Sequence, residues 1–459
     1  MSRSVVDEKK ATMNTKHFTG MQAFWFMWLG LLLSFTGSSL TRFGLSVWTF
    51  EQTRNPEAYS TLLFFATIPL AVGSLFAGPL VDRWNRRTVL IISNIIASLP
   101  TLVIMLLYFT DQMAIWHLYV ALFINGVANA FILPAFDASI RMLVPQDQLG
   151  RASGLSQMVQ SLGIIIAPPI AGLMLVQLGL GSIFITDFVT VTAAVLALSV
   201  IFIPQPIDST HSPTKSVWQD FLFGLRYIVE RPPFVFLMAY LTLIIFAQSF
   251  VYALSGPLVL AFSTEESLGF VYGAFGIGGL VGAIMVSATG GTPRRMNGIL
   301  ISALIMGVAT IVTSLRANAI WIGAGLFLFG LAMTYLIALN RTIYQEKAAP
   351  EVLGRVFAFR VVIGVGAQAA GLLLAGFLTA NVFEPGMQEG GGLTPLFGTL
   401  LGIGEGRGSA VLILLVGVII IGMTLVSALI PSLRLLEDRL TPPTTEPPTM
   451  SEQEVPAPS

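Results

Sequence analysis

The sequence predicts an all-α membrane protein with twelve transmembrane helices in two pseudo-symmetric halves of six. Only 10% of its 459 residues are charged, whereas a soluble domain carries about 25%. Apolar residues make up 54% of the chain, and the mean hydropathy is +0.80. They form runs long enough to cross a bilayer, which takes a helix of about 20 residues. Short elements of the first half also recur in the second.

Short polar breaks separate the apolar runs, and this pattern favours helices over the alternating strands of a β-barrel. The first run is too long for the apolar region of a signal peptide, so we expect a retained first span. The predicted spans are 22–48, 59–80, 88–109, 115–138, 152–178, 182–204, 234–262, 268–290, 297–315, 319–341, 356–380 and 409–431.

These spans divide the chain into five segments. Residues 22–204 and 234–431 form the two six-helix bundles, and residues 205–233 link them. Residues 1–21 precede the first bundle. Residues 432–459 are rich in Pro, Thr and Glu. Such a segment buries too little apolar surface to fold, so we expect a disordered tail.

Basic residues are distributed unevenly between the two sides of the predicted membrane. Of the 24 Lys and Arg, three (Arg54, Arg316 and Arg407) fall in outer loops and two (Arg42 and Arg360) fall inside spans, which leaves 19 on the side of the N-terminus. Cytoplasmic loops carry the excess of basic residues. The sequence therefore predicts that both termini are cytoplasmic and that the protein lies in a bacterial inner membrane.

The segment between spans 6 and 7 has a helical periodicity of its own, followed by Pro232 and Pro233. Its apolar positions are Trp218, Phe221, Leu222, Leu225, Ile228 and Val229. Charged residues occupy the rest of the helical wheel. The pattern predicts an amphipathic helix on the inner leaflet.

The two halves share short basic elements. Leu-Gly-Arg ends at Arg151 after span 4 and at Arg355 after span 10, and an Arg-Arg pair begins at Arg86 and again at Arg294. The offsets are 204 and 208 residues. Repeated six-helix halves are the plan of a large transporter class. Chance similarity of short basic loops is the alternative.

The loop after span 2 reads GPLVDRWNRR at residues 78–87. It resembles the major facilitator motif G-x-x-x-D-R-x-G-R-R, with Asn85 in place of the second glycine. Asn also tolerates a left-handed turn, so this departure is mild. The resemblance implies that the loop stabilises the outward-open state; the alternative is a basic topological anchor. Its candidate conformational-switch residues are Gly78, Asp82, Arg83, Arg86 and Arg87.

Span 5 carries small residues at wide intervals, together with Pro168 and Pro169. It is similar to the antiporter motif of the same family, with Ala167 and Ala171 at two glycine positions. In the family this pattern is associated with exporters, whereas ordinary helix packing through small residues is the alternative. The candidate motif residues are Gly154, Gly163, Pro168 and Gly172.

The resemblance extends over nearly the whole chain, and more narrowly to the macrolide-efflux and siderophore-exporter branch. Residues 133–136 (LPAF), 221–227 (FLFGLRY) and 404–408 (GEGRG) are similar to that branch. Many drug–proton antiporters of the family place an Arg in the middle of span 4. This chain has Leu122 there, and it has Arg42 in span 1 where some multidrug carriers have an acid.

Ionisable residues inside spans are costly and therefore candidates for function. Arg42 and Arg360 are candidate cavity residues. Asp137 is the first candidate for proton coupling and Asp187 the second, since no acid lies within the predicted spans 7 to 12. A structural bridge from Asp137 to Arg141, four residues on, is an alternative role. Capping of an interfacial turn is the alternative role for Asp187.

Uncharged polar residues group on helical faces, where they line a central cavity or form hydrogen bonds between helices. The sequence does not decide between these roles. The candidate cavity residues are Asn125, Asn129, Gln157, Gln160, Gln248, Tyr252, Tyr335, Asn340 and Gln368.

These features predict a secondary transporter, driven by a proton gradient, that exports amphipathic or lipophilic molecules such as drugs, macrolides or siderophore-like compounds. An uptake permease or a lysolipid flippase is the alternative. None of the five lysines follows a glycine, which excludes a Walker A loop. His17 and His211 lie outside the predicted spans, His117 lies at the very start of span 4, and cysteine is absent, so we expect neither an enzyme nor a metal site. We expect no cofactor and no nucleic-acid partner, and we expect a monomer.

Overall fold

The computed structural model describes residues 18, 20–204, 217–348 and 352–430 of the chain. The first half consists of α1 (Gly20–Thr53), α2 (Pro56–Arg83), α3 (Arg86–Phe109), α4 (Ile115–Leu143), α5 (Leu149–Leu178) and α6 (Leu180–Ser199). A 3₁₀ turn, Gln146–Gln148, joins α4 to α5. The linker contains α7 (Val217–Val229).

The second half consists of α8 (Pro232–Leu260), α9 (Glu265–Thr289), α10 (Arg295–Leu315), α11 (Ala319–Lys347), α12 (Leu353–Leu378), α13 (Thr394–Leu401) and α14 (Arg407–Leu429). Within the described residues, eleven helices are long and apolar enough to cross a membrane. The 28-residue helix α2 completes a layout of twelve long helices. The predicted all-α membrane fold is confirmed, and the observed helices are consistent with the predicted layout of twelve spans in two halves.

Short polar side chains mark where several helices begin. The side chain of Asn55 accepts a hydrogen bond from the backbone of Glu57 (2.8 Å) at the start of α2, and Asn318 caps α11 in the same way. These residues satisfy backbone N–H groups that have no partner within the helix. Several helices run past their predicted spans; α11, for example, continues to Lys347. Polar ends extend beyond the apolar stretch that defines a span.

Two helix pairs join the halves: α2 packs against α12, and α5 packs against α9. Within the first half, α1 packs against α5 and α6, and α3 against α4 and α6. Within the second, α11 packs against α9 and α10, and α14 against α8 and α10. We call the face with the α2–α3 and α4–α5 loops the inner face and the opposite one the outer face. Their assignment to cytoplasm and exterior stays a prediction.

The linker helix α7 forms where the sequence predicts an amphipathic helix, and it packs against α12. A Cβ atom at Gly224 would lie 2.8 Å from the carbonyl oxygen of Arg355, and Ile228 is buried in the core. The guanidinium of Arg355 lies 4.8 Å from the ring centroid of Phe223. Leu222, in contrast to the buried Ile228, is exposed, since the described helices do not cover it. The helix is therefore docked on the second half.

The predicted ranges of spans 7 to 12 contain no acid, but Glu265 and Glu384 lie where helices continue past those ranges. A π-helical segment, Thr379–Phe383, continues α12 and brings Glu384 into the protein, where its carboxylate accepts a hydrogen bond from the backbone of Gly406 at the start of α14. Glu265 is the first residue of α9. Both acids lie beyond the ends that the apolar runs predict.

Candidate functional site

A cavity of about 600 Å³, part of it open to solvent, lies between the two halves. Five helices meet there, with contributions from both bundles. The lining residues are Ser39, Arg42, Phe43 and Ser46 of α1, Tyr59 and Leu63 of α2, Gly163, Ile164 and Pro168 of α5, Tyr252 of α8, and Tyr272 and Phe275 of α9. The cavity therefore lies where an alternating movement of the halves would expose it to either face.

A smaller cavity of about 300 Å³ adjoins the first and shares Tyr252, Tyr272 and Phe275 with it. It extends into the second half as far as Gln248 and Phe329. Among the described residues that line the two cavities, none is an acid and Arg42 is the one cation. The walls are mainly aromatic and aliphatic, which suits a lipophilic molecule with a few polar groups.

The side chain of Arg42 is half-buried at the wall of the cavity. Within the described part of the chain, its guanidinium forms no hydrogen bond and no ion pair. It interacts electrostatically with Asp187 of α6. The guanidinium can therefore donate hydrogen bonds to a molecule in the cavity, while its field depends on the charge of Asp187.

Asp187 is buried between α1, α3 and α6, with 2% of its surface exposed. Thr41 and Thr101 donate hydrogen bonds to Oδ2 (2.9 and 3.2 Å), and Ser38 donates one to Oδ1 (3.4 Å). A Cβ atom at Gly37 would lie 2.8 Å from Oδ1, so the glycine leaves room for the carboxylate. These contacts exclude the alternative that Asp187 caps an interfacial turn, because it lies about 10 Å inside the outer end of α6.

The two halves are in contact on the outer side of the cavity. The hydroxyl groups of Tyr59 and Tyr272 lie 3.3 Å apart, and the ring of Tyr59 fits against Gly256, which has no Cβ to displace it. Nearer the outer face, the side-chain amide of Asn381 donates a hydrogen bond to Glu57 (3.2 Å). These contacts join α2 to the second half and close the cavity on this side.

Small residues bring α5 and α9 close together. A Cβ atom at Gly269 would lie 2.5 Å from the carbonyl oxygen of Pro168, and one at Gly172 would lie 2.7 Å from that of Glu265. Gly163 faces the ring of Phe35 on α1, whereas no atom of the described residues lies within 4 Å of the Cβ position of Gly154. Three of the four candidate antiporter-motif residues thus lie at contacts between helices, and Gly154 does not.

The family profile described as Major Facilitator Superfamily matches residues 27–372. The chain is a member of the major facilitator superfamily. Its relatives include Macrolide efflux protein A of Streptococcus pyogenes, 25% identical over 368 residues that make up 78% of this chain and 90% of that protein. The Enterobactin exporter EntS of Escherichia coli O1:K1 / APEC is 24% identical over 67% of this chain and 74% of its own. The resemblance to this branch is confirmed.

Solved transporter structures have the same fold. A bacterial homologue of the human lysosomal transporter Spinster, in an inward-facing and unoccupied conformation, superposes with a TM-score of 0.69 at 16% identity, over 92% of this chain and all of the other (100%). An auto-inhibited peptide transporter of the POT family gives 0.64 at 14% identity, over 93% and 99% of the two chains. Members of this superfamily are transporters and not enzymes.

The superfamily motif loop connects α2 to α3 on the inner face. Arg87 donates a hydrogen bond from Nε to the carbonyl oxygen of Leu198 (3.0 Å) and another from Nη2 to that of Ser199, so it caps the last turn of α6. Arg86 is buried at the start of α3. Gly78 lies within α2, and the side chains of Asp82 and Arg83 lie outside the described part of the structure. The predicted roles of all three residues stay predictions.

Asn85 does not adopt the left-handed conformation that glycine would favour. Its φ of −63° and ψ of 113° are extended, and its side chain accepts a hydrogen bond from the backbone of Thr88 (3.2 Å). Asn is a good N-cap because its short side chain reaches these donors. In this chain, Asn85 therefore acts as the cap of α3.

Asp137 lies near the inner end of α4 and is partly exposed. Ser156 of α5 donates a hydrogen bond to its Oδ1 (3.0 Å). Among the described residues, Arg141 interacts with Asp137 only electrostatically and not through an ion pair. The alternative of a structural bridge to Arg141 is therefore wrong. Asp137 is not among the residues that line the two cavities.

The other predicted polar residues have different environments. Asn125 donates a hydrogen bond to the carbonyl oxygen of Ala97 (3.1 Å) and so connects α4 to α3. Asn129 donates a hydrogen bond to the side chain of Asn125 (2.9 Å), one turn earlier in α4. Gln248 and Tyr252 line the cavities. Tyr335 and Gln368 are half-buried outside the two cavities, Asn340 is buried, and the side chains of Gln157 and Gln160 lie outside the described part.

Arg360 of α12 is held by aromatic rings. Its guanidinium lies 3.9 Å from the ring centroid of Tyr344 and 5.3 Å from that of Phe357. The ring of Phe234 also stacks on that of Tyr344, and the two ring centroids lie 5.0 Å apart. A cation over a ring face gains electrostatic energy without an acid. Arg360 is thus part of the packing of the second half, outside the two described cavities.

Tyr59, Tyr272 and Phe275 form much of the cavity wall but were not predicted from the sequence as cavity residues. Tyr59 lies near the predicted start of span 2, and Tyr272 in a glycine-rich stretch of span 8. The two tyrosines could have been identified as candidates, because the hydroxyl of a buried tyrosine usually has a hydrogen-bond partner. Periodicity alone does not show which face of a buried helix meets the opposite bundle.

Proposed function

We propose that the chain is a proton-coupled exporter of amphipathic or lipophilic small molecules that works by alternating access. The observation that carries the proposal is the mainly apolar central cavity, closed on the outer side, with Arg42 at its wall and the buried Asp187 behind. Relatives named as efflux proteins, including the Multidrug efflux pump Tap of Mycolicibacterium fortuitum at 25% identity over 69% of this chain and 79% of that one, support export.

Asp187 is the coupling acid in this proposal, and Asp137 ranks second. An ionised Asp187 offsets the charge of Arg42, so the cavity accepts a neutral or cationic amphiphile against Tyr252, Tyr272 and Phe275. Protonation of Asp187 leaves the charge of Arg42 uncompensated, and that charge repels a cation at close range. Proton and cationic substrate then exclude one another, which is the requirement for antiport.

The cavity requires no cofactor in this account, since the proton gradient supplies the energy. A single copy contains both halves and the whole cavity, so we propose a monomer. The membrane is a bacterial plasma membrane and both termini are cytoplasmic, as the distribution of Lys and Arg predicts.

The test is efflux from proteoliposomes that contain the purified full chain. A panel of lipophilic cations, neutral macrolides or siderophores, and lipophilic anions is loaded inside, with and without a pH gradient. We expect a gradient-dependent loss of cationic amphiphiles. Transport that is identical with and without the gradient, for every compound moved, would contradict proton coupling.

Uptake of an anionic amphiphile is the second candidate function, and Arg42 is the observation that favours it. An anion binds more strongly beside Arg42 when Asp187 is protonated. Proton and anion would then move together, so the same electrostatic pair gives symport. In the proteoliposome panel, gradient-driven accumulation of the anions with no movement of the cations would select this function.

A further inference from the structure

A pocket of about 460 Å³, part of it open to solvent, lies at the outer face where the two halves meet. We call it the outer pocket. Among the described residues, none lines both this pocket and either of the cavities described above. The aromatic and polar residues of its lining are Phe50 and Arg54 of the first half and Glu384, Gln388, Glu405 and Ser409 of the second. The pocket is therefore built by both halves.

Two polar atoms at the wall of the outer pocket lack a partner among the described residues. Ser409 lies in the first turn of α14 and is fully buried (0% exposed), and its hydroxyl forms no hydrogen bond there. Oε1 of Glu384 accepts a hydrogen bond from the backbone of Gly406, whereas Oε2 accepts none from the described residues. A Cβ atom at Gly408 would lie 2.5 Å from Oε2, so the glycine leaves room for this oxygen. Buried polar atoms without a partner are costly, and they indicate a place where a polar ligand binds.

The chemistry of these atoms narrows the class of ligand. The lining contains two side-chain carboxyl groups, of Glu384 and Glu405, and one guanidinium, of Arg54, so acidic groups are in excess. Oε2 of Glu384 needs a donor, which an anion such as phosphate does not supply. A calcium ion takes about six to eight oxygen ligands, and no group of three or more acidic or histidine residues in the described part of the chain could hold a metal. An ammonium group only donates hydrogen bonds, and a short carbon chain attached to it can pack against Phe50.

Phe50 connects the outer pocket to the contact between Tyr59 and Tyr272. The ring of Phe50 meets that of Tyr59 edge-on, with the centroids 6.4 Å apart and an angle of 87° between the ring planes. The hydroxyl of Tyr59 is the group that lies 3.3 Å from that of Tyr272. Movement of the halves apart at the outer face, which alternating access requires, separates Phe50 and Arg54 from Ser409. The complete pocket therefore exists only while the outer face is closed.

We propose that the outer pocket binds a small organic ammonium compound from the outer solution and thereby holds the outer face closed. The ammonium group donates hydrogen bonds to Oε2 of Glu384 and to the hydroxyl of Ser409. A ligand that binds one conformation alone shifts the population towards it, so an ammonium compound that accumulates outside slows the transport cycle. This proposal rests on the fold and on the two-half pocket. It does not depend on the substrate of the central cavity or on Asp187, and its failure would leave proton-coupled export untouched.

Calorimetric titration of the full chain in lipid nanodiscs tests the site. The probes are n-butylammonium, its neutral analogue n-butanol, and Ca²⁺ alone. We expect n-butylammonium to bind and the other two not to bind. Ser409→Ala removes the buried hydroxyl and should weaken binding of the ammonium at least about tenfold, because a hydrogen bond to a charged group is lost. Since Ser409 does not line the central cavity, this loss would assign the binding to the outer pocket.

Glu389→Gln is the matched control, because Glu389 is an exposed acid that follows Gln388 and does not line the pocket. It should bind n-butylammonium like the unmodified chain. If Ser409→Ala does not fold, Glu405→Gln takes its place, since Glu405 is an exposed residue of the loop before α14. This variant should also bind the ammonium more weakly than the control.

The absence of cysteine from the chain allows the conformational effect to be measured, because introduced cysteines carry the only labels. Spin labels at Gln112→Cys and Ala317→Cys, in exposed outer loops of the two halves, report the outer separation in lipid nanodiscs. At a concentration of about ten times its Kd, n-butylammonium should raise the ratio of closed to open protein about tenfold. In Ser409→Ala the same concentration should raise it about twofold at most.

The proposal is overturned if n-butylammonium does not bind, or if it binds Ser409→Ala as strongly as the unmodified chain. Binding of Ca²⁺ or n-butanol in its place would contradict the class of ligand. A distance distribution that n-butylammonium leaves unchanged in the unmodified chain would contradict the effect on the outer face.

Discussion

The hydroxyl groups of Tyr59 and Tyr272 lie 3.3 Å apart and connect the first half of the protein to the second at the outer end of the central cavity. Tyr59 is buried, and the hydroxyl group of Tyr272 also donates a hydrogen bond to the carbonyl oxygen of Tyr252 (3.4 Å). This contact is part of the wall of the cavity and also part of its closure. A change at this point should therefore alter the conformational balance without removing the substrate surface.

Tyr59→Phe should shift the protein towards the state that is open at the outer face. The ring is kept, but one hydrogen bond of about 1 kcal/mol is lost, which corresponds to a factor of about five in the closed-to-open ratio. The outer distance between spin labels at residues 112 and 317 measures the shift. Tyr119→Phe, whose hydroxyl stays within the first half, is the control. An unchanged distance distribution in Tyr59→Phe would show that the tyrosine contact does not hold the gate.

Gly269→Val should prevent closure at the outer face. The Cβ atom alone would lie 2.5 Å from the carbonyl oxygen of Pro168, and backbone on both sides cannot yield easily. We expect a cysteine introduced at Ser46, in the cavity, to react with an impermeant maleimide from outside. Gly154→Val adds the same side chain where no described atom lies within 4 Å of the Cβ position, and it should leave labelling and transport unchanged. Full transport by Gly269→Val would show that α5 and α9 tolerate separation.

Arg87→Met should destabilise the first half by about 1–2 kcal/mol, because it removes a cation and two hydrogen bonds from the last turn of α6. Thermal unfolding in detergent, followed by circular dichroism, measures the loss. Arg294→Met, at an exposed position of the corresponding loop in the second half, is the matched control. Equal stability of the two variants would mean that Arg87 acts only through the charge of the loop.

Fusions of alkaline phosphatase should decide the orientation. The enzyme is active only outside the cytoplasm, so a fusion after residue 320, at the outer face, should be active. A fusion after residue 212, in the linker, should not. The opposite pattern would reverse the inner and outer faces and with them the direction of every proposed movement.

The helices could be predicted well because each apolar run is bounded by polar or helix-starting residues, such as Asn55 before α2 and Asn318 before α11. The structured surroundings of Glu265 and Glu384 were not predicted, because hydropathy defines the apolar centre of a helix and not its structured ends. Asp187 could be named from the sequence, but its burial could not, because Ser38, Thr41 and Thr101 come from two other helices. Residues that converge from distant parts of a chain leave no local pattern.

Proton coupling through Asp187 is the central claim, and proton movement on addition of substrate tests it most directly. Vesicles with a trapped pH indicator are compared for the unmodified chain, Asp187→Asn and Asp137→Asn. An amide in place of the carboxyl group cannot exchange a proton, so Asp187→Asn should lose substrate-induced proton flux and uphill export yet keep downhill exchange of substrate. Asp137→Asn should retain all three. Proton flux that persists in Asp187→Asn at the level of the unmodified chain would contradict the account.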